Sequence, residues 1–196
     1  MIEYLTEAEK QTLLRLAREA LENSVRGKDL PPVDPAALTP LLRAEGASFV
    51  TLSMHGQLRG CIGALQPYQP LYEDVREHAV AAALQDNRFS PVRPSELAHI
   101  NIEVSRLTMP QALTYKDAGD LLAKLRPGID GVILRDGRQR ATFLPQVWAQ
   151  IPDKKEFLGH LCLKMGASAN LWQLKHIEVQ IYQVEECHEQ DKPVTA

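Results

Sequence analysis

The chain has 196 residues, a formal net charge of −3, 44% apolar and 24% charged side chains, which is ordinary for a globular protein and long enough for one real core or two small intertwined lobes. The basic residues are scattered, which argues against general attraction to nucleic acid, and no apolar run approaches the length of a membrane span. The three cysteines, Cys61, Cys162 and Cys187, are odd in number and widely spaced, against a disulfide framework, and the start Met1-Ile2-Glu3-Tyr4 lacks signal-peptide character, so the cytoplasm is the expected compartment.

Thr6 and Glu9 form a T-x-x-E capping box, in which each side chain satisfies a free backbone donor. Leu13, Leu14, Ala17, Leu21 and Val25 follow at helical spacing, and Gly27 suits the exit. A connection rich in proline follows (Pro31, Pro32, Pro35, Pro40), with a short helix over 36–42 opened by Asp34-Pro35. Residues 49–54 predict a strand, His55-Gly56 a turn, and 57–62 a returning strand. A helix runs from Leu71 to near Gln85, its Ala79, Ala81, Ala82 and Ala83 suited to close packing on a sheet. Ile100, Ile102 and Val104 alternate with polar residues, a strand with one apolar face.

Asp117 is placed to cap a helix through Leu125. Two strands flank Asp136-Gly137, a hairpin signal. Pro145 opens a short helix bearing Val147 and Trp148, and 154–165 is helical up to Gly166. Ile177, Val179 and Ile181 mark a last strand, suited to pairing across subunits. The expectation is an α+β domain over 1–186, largely antiparallel sheet flanked by helices, with 187–196 a frayed polar tail.

Most of the chemistry gathers in Leu58-Arg59-Gly60-Cys61-Ile62-Gly63. On an extended chain Arg59 and Cys61 share a face, and a cation beside a thiol favours the thiolate. Gly60 and Gly63 allow close approach of a ligand or of another backbone. The bland alternative is a packed cysteine between glycines that mark a bulge or a chain crossing. Arg88 is a second cation for an anionic ligand, or else an ion-pair partner of Asp86 holding carbonyls at a turn. Thr142 offers a hydroxyl, or a cap for the helix after Pro145. Glu103 offers an acid or base, or an exposed strand carboxylate. None of the six histidines pairs with another at ligand spacing, and Cys187-His188 beside Glu185 and Glu186 sits near the chain end. The hexapeptide lacks the helix and lysine of a P-loop. No metal or cofactor is expected.

The hexapeptide resembles the signature of the AMME-syndrome candidate protein family, the AMME chromosomal-region domain. Phe49-Val50-Thr51-Leu52, Ala81 through Pro91 with Asp86-Asn87-Arg88-Phe89, Ile102-Glu103-Val104-Ser105 and Ala141-Thr142-Phe143-Leu144-Pro145 resemble further blocks, in order, over most of the chain. The resemblance implies an α+β fold with a larger and a smaller lobe, a cleft between them, and the hexapeptide as the functional spot. It implies association with Memo-type and radical-SAM proteins, and names no reaction. This chain departs from the family at Gly128-Ile129-Asp130-Gly131, where many relatives have histidine, and at Gln146, where many have glutamate. A cysteine mechanism then requires Asp130 as base.

Two functions follow. In one, a small anionic molecule binds through Arg59, Gly60, Gly63, Arg88 and Glu103, and Cys61 or Thr142 acts on it with Asp130 as base. In the other, the domain is a non-catalytic partner of Memo-type or radical-SAM proteins.

Overall fold

The computed structural model describes residues 3–189. Contacts divide the chain into two compact units, Met1–Thr108 with Glu185–Ala196, and Met109–Val184. In the first unit, α1 (Glu7–Val25) starts at the capping box: the Glu9 amide donates to Thr6 Oγ1 at 3.3 Å, and the Thr6 amide donates to Glu9 Oε2 at 2.7 Å. A 3-10 turn (Pro35–Ala37), capped by Asp34, is separate from α2 (Pro40–Arg43). The single short helix expected here is split, because Pro40 holds Thr39 extended, with ψ 159°.

β1 (Glu45–Met54) and β2 (Gln57–Gly63) form a hairpin. His55 and Gly56 close it with φ of 51° and 76°, the left-handed pair that matches strand twist. β1 starts earlier than expected, at Glu45, because Glu45 and Gly46 pair with β3 (Gln69–Pro70), a contact that local periodicity does not announce. α3 (Leu71–Leu84) and β4 (Ile100–Leu107) follow.

The second unit holds β5 (Gln111–Ala112), α4 (Ala118–Lys124), β6 (Gly131–Asp136), β7 (Gln139–Phe143), α5 (Lys154–Lys164), α6 (Leu171–Leu174) and β8 (Glu178–Tyr182). Asp117 caps α4 as expected, accepting from the Asp120 amide at 2.9 Å. Its sheet runs β5-β8-β6-β7, with antiparallel pairing. β8 therefore lies between two strands of its own chain, and the pairing expected of it across subunits does not arise along the residues that β5 and β6 occupy. Phe157, Leu158, Leu161 and Cys162 are fully buried, and the Trp148 ring stacks on Phe157 with centroids 3.5 Å apart.

The chain then re-enters the first unit as β9 (Val184–His188), and that sheet runs β2-β1-β4-β9 with β3 beside β1. Residues 187–189, read from sequence as tail, are bound here. Cys187 is in the core, and the Glu189 amide donates to the Ile102 carbonyl at 3.0 Å. The Glu189 carboxylate accepts from Arg18 on α1 and from the Ile102 amide. Val184 and Cys187, three positions apart, give no strand periodicity, so only its partners fix this strand. Residues 190–196 of the expected tail lie outside the described residues.

Val50, Leu52, Ile102 and Val104 pack with Leu13 and Leu21 of α1 and with Val75, Ala79 and Ala82 of α3 in one core. Fully burying each leucine stabilises the fold by roughly 2 kcal/mol. The architecture is α+β with antiparallel sheets. Among the described residues, no helix is long and apolar enough to cross a membrane.

Candidate functional site

Strand alternation sorts the first sheet into two faces. Val50, Leu52, Ile102 and Val104 face the helices, so Thr51 and Glu103 stand on the opposite face. Cys61, Thr51 and Glu103 are register partners on adjacent strands β2, β1 and β4. They form one row, each half-buried. Thr51 Oγ1 donates to the Cys61 sulfur at 3.4 Å. Ser105 Oγ donates to Glu103 Oε1 at 3.0 Å, and His188 Nδ1 of β9 lies 3.6 Å from Glu103 Oε2. Sequence reasoning missed Thr51 and His188, because only register brings them to Cys61 and Glu103.

The two glycines of the hexapeptide lie three positions apart and so serve opposite faces. A Cβ on Gly60 would run into the Ala82 carbonyl oxygen of α3. A Cβ on Gly63 would run into the Phe49 ring and the Ser48 carbonyl. Gly60 thus lets the alanine-rich helix touch the sheet backbone, and Gly63 makes a bed for Phe49 beside Cys61.

β2 is an edge strand, and its outer edge is occupied by side chains from residues 86–96. The Cys61 amide donates to Asp86 Oδ2 at 2.8 Å, and Arg88 Nη2 donates to the Cys61 carbonyl at 3.1 Å. One carboxylate and one guanidinium therefore stand where a further strand would offer a peptide group, which blunts an exposed edge. Asp86 also takes the Arg88 amide at 3.1 Å and Arg88 Nε at 2.9 Å. The Arg88 guanidinium, countered only by burial, holds the Asp86 carboxyl well below the usual carboxylate range.

Arg59 sits at the β-bulge between Leu52 and Ser53 on the partner strand. Its guanidinium is closed on Glu96, with contacts of 2.8 and 3.1 Å, and on the Ser90 carbonyl at 2.9 Å. The Arg59 side chain is 12% exposed against 56% for Arg88, so Arg88 is the cation of this pair that remains open to a ligand. Glu96 carries no local sequence signal for this role, since it lies 37 positions from Arg59.

Thr142 and Asp130 belong to the second unit. Thr142 is no helix cap: Leu144 stands at that position without a side-chain bond. Its hydroxyl shares a 3.1 Å hydrogen bond with the Tyr182 hydroxyl, and its carbonyl accepts from Lys164 at 2.9 Å. Asp130 is fully buried. It accepts the Arg126 amide at 2.9 Å and Arg126 Nη2 at 2.6 Å, while its carbonyl accepts Trp148 Nε1 at 2.7 Å. Among the described residues, no group of three or more His, Cys, Asp or Glu side chains is placed to hold a metal ion.

This fold and this signature strand define the AMMECR1 domain class. The AMMECR1 family model matches residues 14–187, and the chain belongs to that family. A protein of Methanothermobacter thermautotrophicus is 39% identical over 189 residues, covering 94% of this chain and 96% of its own length. One from Methanopyrus kandleri is 37% identical, covering 97% and 93%. The crystal structure of uncharacterized protein PH0010 from Pyrococcus horikoshii superposes with a TM-score of 0.74 at 32% identity, covering 95% of this chain and 94% of its own.

Proposed function

We propose that the face carrying Cys61, Thr51 and Glu103 binds a small anionic molecule, with Arg88 as its cation and the Cys61 thiol as the group that touches or acts on it. The observation that carries this reading is the hold on Cys61. Asp86 and Arg88 fix its peptide group on both sides, which positions the sulfur beside the Thr51 hydroxyl. More than half of the Arg88 side chain stays exposed next to it. Arg59 acts here by locking the bulge rather than by touching ligand. Gly60 and Gly63 act by letting α3 and Phe49 close in. Glu103, flanked by Ser105 and His188, is the base of the row; in the second unit, Asp130 and Thr142 have their own partners and act on no ligand in this reading.

The test is alkylation of the native protein by iodoacetamide, scored by peptide mapping for each cysteine. Cys61 is expected to react. Cys162 and Cys187 are expected to resist until unfolding, since both are buried and burial pushes the Cys187 thiol up to about 11. A pool of small phosphorylated and carboxylated metabolites is expected to slow the Cys61 reaction in wild type and not in Arg88→Ala. Equal rates with and without the pool overturn the reading.

A second reading rests on Leu58 and Tyr68, 45% and 53% exposed on and after the signature strand. Exposed apolar groups there suit docking to a protein of Memo or radical-SAM type, as the family resemblance implies. It predicts a complex between purified proteins that Leu58→Asp weakens and Cys61→Ser leaves intact. The reverse pattern removes it.

A further inference from the structure

Residues 86–96 do more than cover the β2 edge: beyond Arg59 they line an open hollow of about 320 Å³, formed by Arg59, Phe89, Ser90, Arg93, Ser95 and Glu96. Its charges do not cancel. Glu96 is already taken by the Arg59 guanidinium and by the Arg93 amide, which donates to Oε2 at 2.7 Å. The Arg59 contact, opposed by burial and helped by the Arg93 amide and charge, lowers the Glu96 carboxyl, which therefore stays ionised and satisfied. Arg59 and Glu96 neutralise each other, and the charge of Arg93 is left over. Among the described residues, its guanidinium meets no hydrogen-bond acceptor, and the Ser90 and Ser95 hydroxyls meet none either. The free polar groups of the hollow are thus one guanidinium fork and two hydroxyls, beside the half-buried ring of Phe89.

We propose that this hollow binds the phosphate group of a small phosphate monoester. A guanidinium fork takes two phosphate oxygens side by side, and the two hydroxyls are donors for the third terminal oxygen of a monoester, which a carboxylate lacks. The Phe89 ring gives an apolar wall for the ester's organic part, and a volume near the lower end of ligand pockets fits a metabolite rather than a folded partner. The site stands apart from the Cys61 reading in its cation, which is Arg93, and it uses no atom of Cys61, Thr51 or Glu103; the two readings adjoin at Phe89, over whose ring the Arg88 guanidinium lies at 5.6 Å.

The test is titration of the whole protein with inorganic phosphate, then with phenyl phosphate, followed by backbone amide NMR at constant ionic strength set with chloride. Saturable shifts are expected at Phe89, Ser90, Arg93 and Ser95, with phenyl phosphate binding more tightly than inorganic phosphate. Arg93→Ala is expected to weaken both about tenfold, the loss of one charge-assisted contact, and Arg138→Ala, an exposed arginine of the second unit, to leave both unchanged. Equal shifts with chloride alone, equal affinity for acetate, or equal binding by Arg93→Ala overturn the phosphate site. Equal affinity of the two phosphates overturns the monoester. Protection of Cys61 from alkylation is scored separately, so either site can fail without the other.

Discussion

Asp86 accepts four hydrogen bonds from two residues: the Cys61 amide, and the amide, Nε and Nη2 of Arg88. Replacing its charge with an amide in Asp86→Asn weakens every one of them. The bond to the Cys61 amide alone is worth about 2 kcal/mol, as hydrogen bonds to charged groups are. The sign with pH follows from the depressed carboxyl. A group lowered in the folded state gives its full stabilisation above the unfolded value of about 3.9, and loses it as pH falls toward the folded value. The wild-type urea midpoint is therefore expected to drop on acidification from about pH 4 downward, and less steeply in Asp86→Asn. Parallel slopes would show that Arg88 does not hold Asp86 ionised.

β2 shows at the scale of an element why its glycines are there. Gly60→Ala directs a methyl group at the Ala82 carbonyl of α3, a backbone atom that cannot swing aside. The helix must move off the sheet, an overpacking cost of about 1–3 kcal/mol. Gly27→Ala provides the contrast: nothing lies within 4 Å of a Cβ there, but φ is +67°, so its cost is left-handed backbone strain of about 1 kcal/mol. Thermal unfolding is expected to rank Gly60→Ala below Gly27→Ala, and only the first to alter amide exchange in α3. An unchanged α3 would mean the contact relaxes locally.

Across the whole molecule, the first unit is closed by a strand that arrives after the entire second unit. Arg106 of β4 and Glu185 of β9 form a buried pair at 2.6 Å, their side chains 6% and 10% exposed. Glu185 also accepts the Leu5 amide at 2.9 Å, and Arg106 donates to the Glu3 carbonyl at 2.8 Å. The start of the chain, a central strand and the returning strand thus meet at one ion pair. Glu185→Ala leaves Arg106 buried without its counter-charge, and about 3–5 kcal/mol of stability is expected to go with it. Hydrogen exchange is expected to show lost protection in β9 and retained protection in α5. A loss below about 1 kcal/mol would mean that water or the Glu3 carbonyl replaces the carboxylate.

The sequence by itself determined the pieces whose cause is local. Thr6-x-x-Glu9 sets the start of α1, His55-Gly56 the turn of the hairpin, Asp117 the start of α4, and strand alternation the two faces of β4. The signature hexapeptide, with the blocks around it, was enough to place the chain in its family. Tertiary structure alone decided what those residues do. Arg59 was legible as a cation beside Cys61, yet its charge is matched by Glu96, and no pattern in sequence links positions that far apart. Asp86 stood in view as an ion-pair partner of Arg88, but its bond to the Cys61 amide depends on where a helix ends beside an edge strand. Thr51 and His188 became neighbours of Cys61 and Glu103 only through register across the sheet. β9 was missed because its stability comes from Arg18, Ile102 and Arg106, while its own residues carry no apolar period. Local rules fix how a segment folds; which charges remain unmatched, and which thiol keeps a hydroxyl beside it, depends on contacts between segments distant in the chain.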